Sequence, residues 1–142
     1  MRNVESILVW GTVFLYALSF VCRLFAVIGQ RRRAQALANV SIYAGVAVHA
    51  LAIVVRWLRG GHAPVTDSYE LELTGSFIAV LLYLVFERLR LVPGAVGLAA
   101  APVAFLVLGH GIVVSSEPIP MGPAYHSLWL VVHVIFAWLA FG

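Results

Sequence analysis

Apolar residues along this chain come in long blocks rather than in the narrow stripes of a soluble amphipathic helix. Five blocks stand out, at about residues 7–29, 37–57, 71–86, 92–114 and 127–142, and short polar segments separate them. Runs of roughly 17 to 25 apolar residues suit helices that cross a hydrocarbon core of about 30 Å. The pattern predicts an all-α fold, a polytopic transmembrane helical bundle of about five spans, forming a single membrane domain over residues 1–142. The first block does not read as a cleaved signal. Its apolar core exceeds the usual ~7–15 residues, it is rich in aromatics, it lacks a small-x-small cleavage site, and Arg31, Arg32 and Arg33 follow it.

Turn chemistry fits these boundaries. Gly60, Gly61 and Pro64 break the chain after the second block, and Asp67 followed by Glu70 predicts a capped start for the third helix. The fourth block, VPGAVGLAAAPVAFLVLG, is rich in Gly and Ala and contains Pro102, which predicts an interior helix that packs closely and tolerates a kink. The last block is short for a span and lacks a flanking charge, which gives the expectation that the chain is the N-terminal part of a longer protein.

Composition sharpens this into a membrane reading. Hydrophobic residues make up 63% of the 142, and the mean hydropathy is +1.01. The net charge of +3 rests on nine basic residues, all of them Arg. They are scattered through loops, which excludes a nucleic-acid-binding patch and makes them topology markers. Arg31, Arg32 and Arg33 fill one loop and Arg88 and Arg90 another, whereas the alternate loops hold Arg56 and Arg59. By the positive-inside rule the richer loops are cytoplasmic, so the N-terminus is extracytoplasmic, and so are the loops around His62 and His126. Arg23 lies inside the first block close to its cytoplasmic end, where its head is expected to snorkel to the interface. Cys22 stands alone and forms no intrachain disulfide or CxxC metal pair.

The five histidines are the candidate chemistry. His62 and His126 fall in outer loops, His110 and His133 near outer helix ends, and His49 near mid-membrane. In YHSLWLVVH, His126, Trp129 and His133 are spaced i, i+3, i+7 and share a helical face. Spacing alone fits an interfacial Trp beside two polar contacts as readily as a haem or metal site. An ionisable side chain at the depth of His49 is a functional candidate, set against a neutral histidine hydrogen-bonded to a neighbouring helix. His110, between Gly109 and Gly111, reads as a packing or hydrogen-bonding residue, and His62 as a solvated turn residue. Asp67, Glu70 and Glu72 match no metal motif beside His62; capping and helix-dipole compensation explain the first two.

The order of these motifs resembles the N-terminal part of cytochrome c assembly proteins of the CcsA/ResC type. An apolar span containing His49 ends in Arg56-Trp57, then a loop carries Gly61, His62, Pro64, Tyr69 and Glu70. Ala101-Pro102 follows in a span, and then Ser127, Trp129, Leu130 and His133. The resemblance covers roughly residues 40 to 140. It implies a haem-handling membrane subunit of a cytochrome c synthase, with haem b presented at the extracytoplasmic face for attachment to the CxxCH thiols of apocytochrome c. It further implies His133 as an axial ligand to the haem iron and Trp129 as a wall of the haem pocket, while His49 and His126 gain less from it. The implied partners are apocytochrome c, another synthase subunit, thiol-reducing proteins and the lipid bilayer, in a bacterial cytoplasmic membrane. The family's Trp-rich haem-binding segment is absent from these 142 residues. A haem or small-molecule transporter, a non-catalytic membrane scaffold and a quinone-binding redox subunit are the competing readings.

Overall fold

The computed structural model describes residues 2–114 and 127–141. They form an all-α bundle of five helices, α1 (Arg2–Gly29), α2 (Arg32–Gly60), α3 (Ser68–Arg88), α4 (Gly97–Val114) and α5 (Leu128–Phe141), with a 3₁₀ turn at Gly94–Val96 leading into α4. The first four are long and apolar enough to cross a membrane. Each expected block forms a helix. The fifth helix has 14 residues, about 21 Å at 1.5 Å per residue, short of a full crossing.

The first three helices run past their apolar blocks, and at the α2–α3 connection local capping rather than hydropathy sets the ends. Asp67 caps α3 by accepting a 2.7 Å hydrogen bond from the Glu70 amide. Gly61 ends α2 in the left-handed conformation at φ 70°, its N–H bonded to Trp57 O. The start of α4 is later than the block at 92–114 because Pro93 and the 3₁₀ turn occupy its first residues.

α1 packs along α2 and α4, α3 packs along α4 and less extensively on α2, and α5 rests on α3. The buried residues of α1 are Glu5, Val9, Thr12, Tyr16, Ser19, Arg23 and Ala26, an alternating four-three spacing that keeps one seam facing its neighbours. α2 answers with Ala38, Ile42, Gly45, His49, Ala52 and Arg56, and α4 with Gly97, Ala101, Ala104, Leu108 and Gly111. The large apolar side chains point outward instead. Ile7, Trp10, Phe14 and Phe25 of α1 are all more than half exposed. Such an inside-out distribution suits lipid as the solvent, since association there relies on close packing and internal hydrogen bonds. At Gly45 a Cβ would stand 2.6 Å from the Tyr16 ring, so glycine is what lets α1 and α2 meet there.

Arg23 corrects one expectation. It does not snorkel to the interface but is 2% exposed. Its Nη1 donates to Glu87 Oε1 at 3.0 Å and to Gly94 O at 3.1 Å, and its Nη2 donates to Asn39 Oδ1 at 3.3 Å. The guanidinium also stacks 5.4 Å from the Tyr83 ring centre. Gln35 completes the group through Asn39. A chain that reverses four times brings these residues to one end of the bundle and leaves Glu5, Arg56, His62, Asp67, His110 and the start of α5 at the other.

Candidate functional site

The end of the bundle opposite Arg23 is organised around Arg56, which is fully buried. Its Nε donates to Glu70 Oε1 and its Nη2 to Asp67 Oδ2, both at 2.9 Å. Glu5 Oε1 lies 3.6 Å from Nη1, and the Tyr69 ring sits 4.8 Å from the guanidinium carbon. Tyr69 donates its hydroxyl to Glu5 Oε1 at 3.0 Å, and Arg59 pairs with the other Glu5 oxygen. Glu70 Oε2 accepts from Thr66 N at 3.1 Å and Thr66 Oγ1 at 2.6 Å. A buried charge is stable only with such compensation, and the network ties the start of α1 to the end of α2 and the start of α3. Glu5 had a readable signal, a carboxylate just before the first apolar block; its pairing with residues more than fifty positions away did not.

His62 is buried rather than solvated, 7% exposed. Its Nδ1 donates to Ala63 O at 3.0 Å and stands 3.9 Å from Glu70 Oε2. The loop is drawn inward because Glu70 and Asp67 anchor its far side to Arg56. With Trp57, Gly61, Ala63, Ser127, Leu128 and Val131, His62 lines a cavity of about 210 Å³ between the end of α2 and the first turn of α5. His110 makes the hydrogen-bonding contact expected of it, Nδ1 to Glu72 Oε1 at 2.8 Å.

His49 is completely buried and both ring nitrogens are engaged. Nε2 lies 2.9 Å from Leu73 O, and since a carbonyl only accepts, Nε2 carries the proton. Nδ1 is then the acceptor for the Tyr16 hydroxyl at 3.2 Å. A neutral imidazole thus joins α1, α2 and α3, and in this arrangement neither nitrogen faces an open position.

α5 presents two contrasting faces. Ser127 and Val131 face the cavity, and Trp138, seven residues after Val131, lies against Gly75 of α3, where a Cβ would stand 2.3 Å from the indole. Trp129 and His133 are four residues apart, about half a turn away from that seam. Trp129 is 81% exposed and His133 is exposed beside it, with Val132 and Phe136 on the same open side. His126 lies outside the described residues. Among the described residues no cluster of three or more His, Cys, Asp or Glu side chains could hold a metal ion. The described residues of α5 thus carry one exposed imidazole, His133, one turn from the exposed indole of Trp129.

The chain is 26% identical, over all of its length and 46% of the relative, to the cytochrome c biogenesis protein CcsA of Trieres chinensis. It is 34% identical to CcsA of Prochlorococcus marinus strain NATL2A over 58% of the chain and 27% of that protein. This chain is similar to CcsA proteins. A similarity of 31% identity over 68% of the chain also exists to the protein NrfI of Wolinella succinogenes, of which 10% is covered. The CcsA likeness read from the order of motifs therefore holds. The chain spans less than half the length of the CcsA relatives it matches. No family model matches it, and no solved structure does.

Proposed function

We propose that the chain is a haem-handling part of a cytochrome c assembly protein, with haem b carried at the extracytoplasmic end and His133 as one axial ligand. The observation that carries this reading is the open face of α5, where Trp129 and His133 stand together on a helix otherwise seated on the bundle. The similarity to CcsA proteins supports it.

On this reading the donor is a neutral imidazole at the outer end of a short helix, and the indole of Trp129 covers part of the porphyrin face. Because both project away from α1–α4, the opposite wall and the second ligand come from protein outside the described residues. Haem held there by His133 and Trp129 would be within reach of an apocytochrome CxxCH segment, each of whose two thiols would add its S–H across one vinyl group. The chain's own contribution is orientation. α5 holds the imidazole, α3 holds α5, and the Arg56 network fixes the loop beside them. Partners on this view are apocytochrome c, a further synthase subunit and a thiol-reducing protein. The site is a bacterial cytoplasmic membrane, with the chain forming a single membrane domain whose N-terminus is extracytoplasmic.

The test is the haem absorbance of the native protein purified with its associated subunits, compared with His133→Ala. The expected result is a lost or altered Soret band and a loss of mature cytochrome c. Unchanged haem occupancy, spectrum and maturation in His133→Ala would refute the ligand assignment. Haem flux into liposomes in the absence of apocytochrome would instead favour transport.

A further inference from the structure

We propose that His49 is a positioning residue for His133, acting through the backbone of α3 and the seat that α3 offers to α5. The inference rests on the reading of His133 as a haem ligand, and its first half, the link from His49 to α5, stands on geometry alone.

His49 Nε2 donates to the Leu73 carbonyl at 2.9 Å while Nδ1 accepts from the Tyr16 hydroxyl. The imidazole also meets Phe77 edge-on, with ring centres 5.2 Å apart. Residues 73 and 77 lie on one face of α3, so His49 holds that face at two points one turn apart. Ser76 Oγ adds a hydrogen bond to Glu72 O at 2.6 Å and a longer one to Leu73 O. The Leu73 carbonyl of this turn is therefore held from the bundle side by His49, deep in an apolar layer where an alternative partner from solvent is lacking, while the Ser76 bonds stay within α3.

Gly75 sits within the same turn, two residues after Leu73 and so about 200° around the helix. It faces away from His49 and toward α5, and the Trp138 indole fills the space where its side chain would be. The imidazole and the indole thus grip opposite sides of a single turn of α3. Trp138 makes the tightest fit of α5 on the bundle. Leu130, Val131, Val134 and Ala137 on its inward side are only half-buried, and Trp129, Phe136 and Leu139 are 81%, 66% and 46% exposed, so the Trp138 seat weighs most in setting the rotation of the helix about its own axis. His133 lies five residues from Trp138, about 7.5 Å along that axis. A rotation at the seat therefore re-aims the imidazole directly, and ligand constellations function only when held to about 0.5 Å. The route runs from Tyr16 and His49 through Leu73 and Gly75 to Trp138 and His133. It gives the buried mid-membrane histidine a role in haem chemistry without contact to haem.

The experiment measures α5 and the haem separately in the native, full-length protein. Spin labels at Leu81→Cys on α3 and Phe136→Cys on α5, both exposed positions, in a Cys22→Ser background, report the α3–α5 distance distribution by pulsed electron resonance. The Soret band and haem retention report the ligand. His49→Leu is expected to broaden the distance distribution and lower haem retention about tenfold, the lower end of what lost outer-sphere support removes. His49→Gln keeps an amide donor for Leu73 O and is expected to restore both. Tyr16→Phe, a milder change that leaves the Leu73 bond in place, is expected to shift both in the same direction by less. Val80→Ala opens space in the same buried face of α3 without touching the route and is expected to move neither. An unchanged distribution in His49→Leu, or an equal broadening in Val80→Ala, overturns the proposal. A broadened distribution with unaltered haem overturns the positioning role and leaves the α3–α5 link standing, while the His133 reading is decided separately by His133→Ala.

Discussion

Arg56 and Glu70 meet through a 2.9 Å hydrogen bond from Nε to Oε1, and both side chains are buried. In a membrane-embedded bundle such a pair is held in place by what its loss leaves behind. Removing one partner strands a charge that has no water to turn to, at roughly 3–5 kcal/mol. Arg56→Leu is expected to be the more severe change, because it leaves Glu5, Asp67 and Glu70 facing one another. Glu70→Gln keeps an oxygen for Arg56 and is expected to lose less. Thermal unfolding in detergent, followed by helical circular dichroism, orders the two variants.

Asp67 and Glu72 both carry a carboxylate near the start of α3, yet different losses are expected from them. Asp67 caps the helix and binds Arg56 in the buried layer. Asp67→Ala is expected to remove the cap, worth about 0.5–2 kcal/mol, together with a share of the ion network. Glu72 pairs with His110, which is 67% exposed, and an exposed pair contributes about 0–1 kcal/mol. His110→Gln is therefore expected to leave the melting temperature within about 2 °C of the parent, the scale of half a kcal/mol in a protein of this size. Equal losses in Asp67→Ala and His110→Gln would show that capping and burial do not distinguish them.

Hydropathy made the helices legible, and turn residues made the end of α2 and the start of α3 legible. The packing seam was not. α1 buries Glu5, Thr12, Ser19 and Arg23 and turns Trp10, Phe14 and Phe25 outward, so a search for an apolar stripe picks the wrong face. In lipid the apolar side chains meet an apolar solvent, and the small and polar residues are left to hold helices together. The fate of Arg23 follows from this. Position alone put it near an interface, whereas Glu87, Gly94 and Asn39 reach it from three other segments. The candidate site was legible in part. Trp129 and His133 share a face by spacing, but only the seat of Trp138 on Gly75 sets that face away from the bundle.

Gly45 tests how tightly α1 and α2 meet. A methyl group there would approach the Tyr16 ring to 2.6 Å, and Tyr16 is fully buried with its hydroxyl on His49. Gly45→Ala is expected to push the ring aside at about 1–3 kcal/mol, the usual scale of overpacking. The tyrosine hydroxyl then moves off Nδ1, so the variant is expected to resemble Tyr16→Phe in α5 behaviour while being less stable. Combining it with Tyr16→Ala, which empties the space, is expected to recover part of the loss. Additive losses in the double variant would mean the two residues do not share that space.

Sidedness decides whether His133 stands where haem attachment can take place. Arg31, Arg32 and Arg33 cluster where α1 gives way to the first turn of α2, and Arg88 and Arg90 lie at and just after the end of α3, at the same end of the bundle. Loops rich in arginine stay on the cytoplasmic side. The start of α5 lies at the opposite end, beside His62 and Trp57, and so is expected to face outward. In a Cys22→Ser background, Leu128→Cys, at a position 82% exposed, is expected to react with a membrane-impermeant maleimide in intact cells or right-side-out vesicles. Arg32→Cys, at the exposed first residue of α2, is expected to react only after the membrane is opened. The reverse pattern would put Trp129 and His133 at the cytoplasmic surface. There the imidazole could still bind haem, but the extracytoplasmic thiols of an apocytochrome could not reach it, and attachment at this helix would be excluded while haem uptake from the cytoplasm would not.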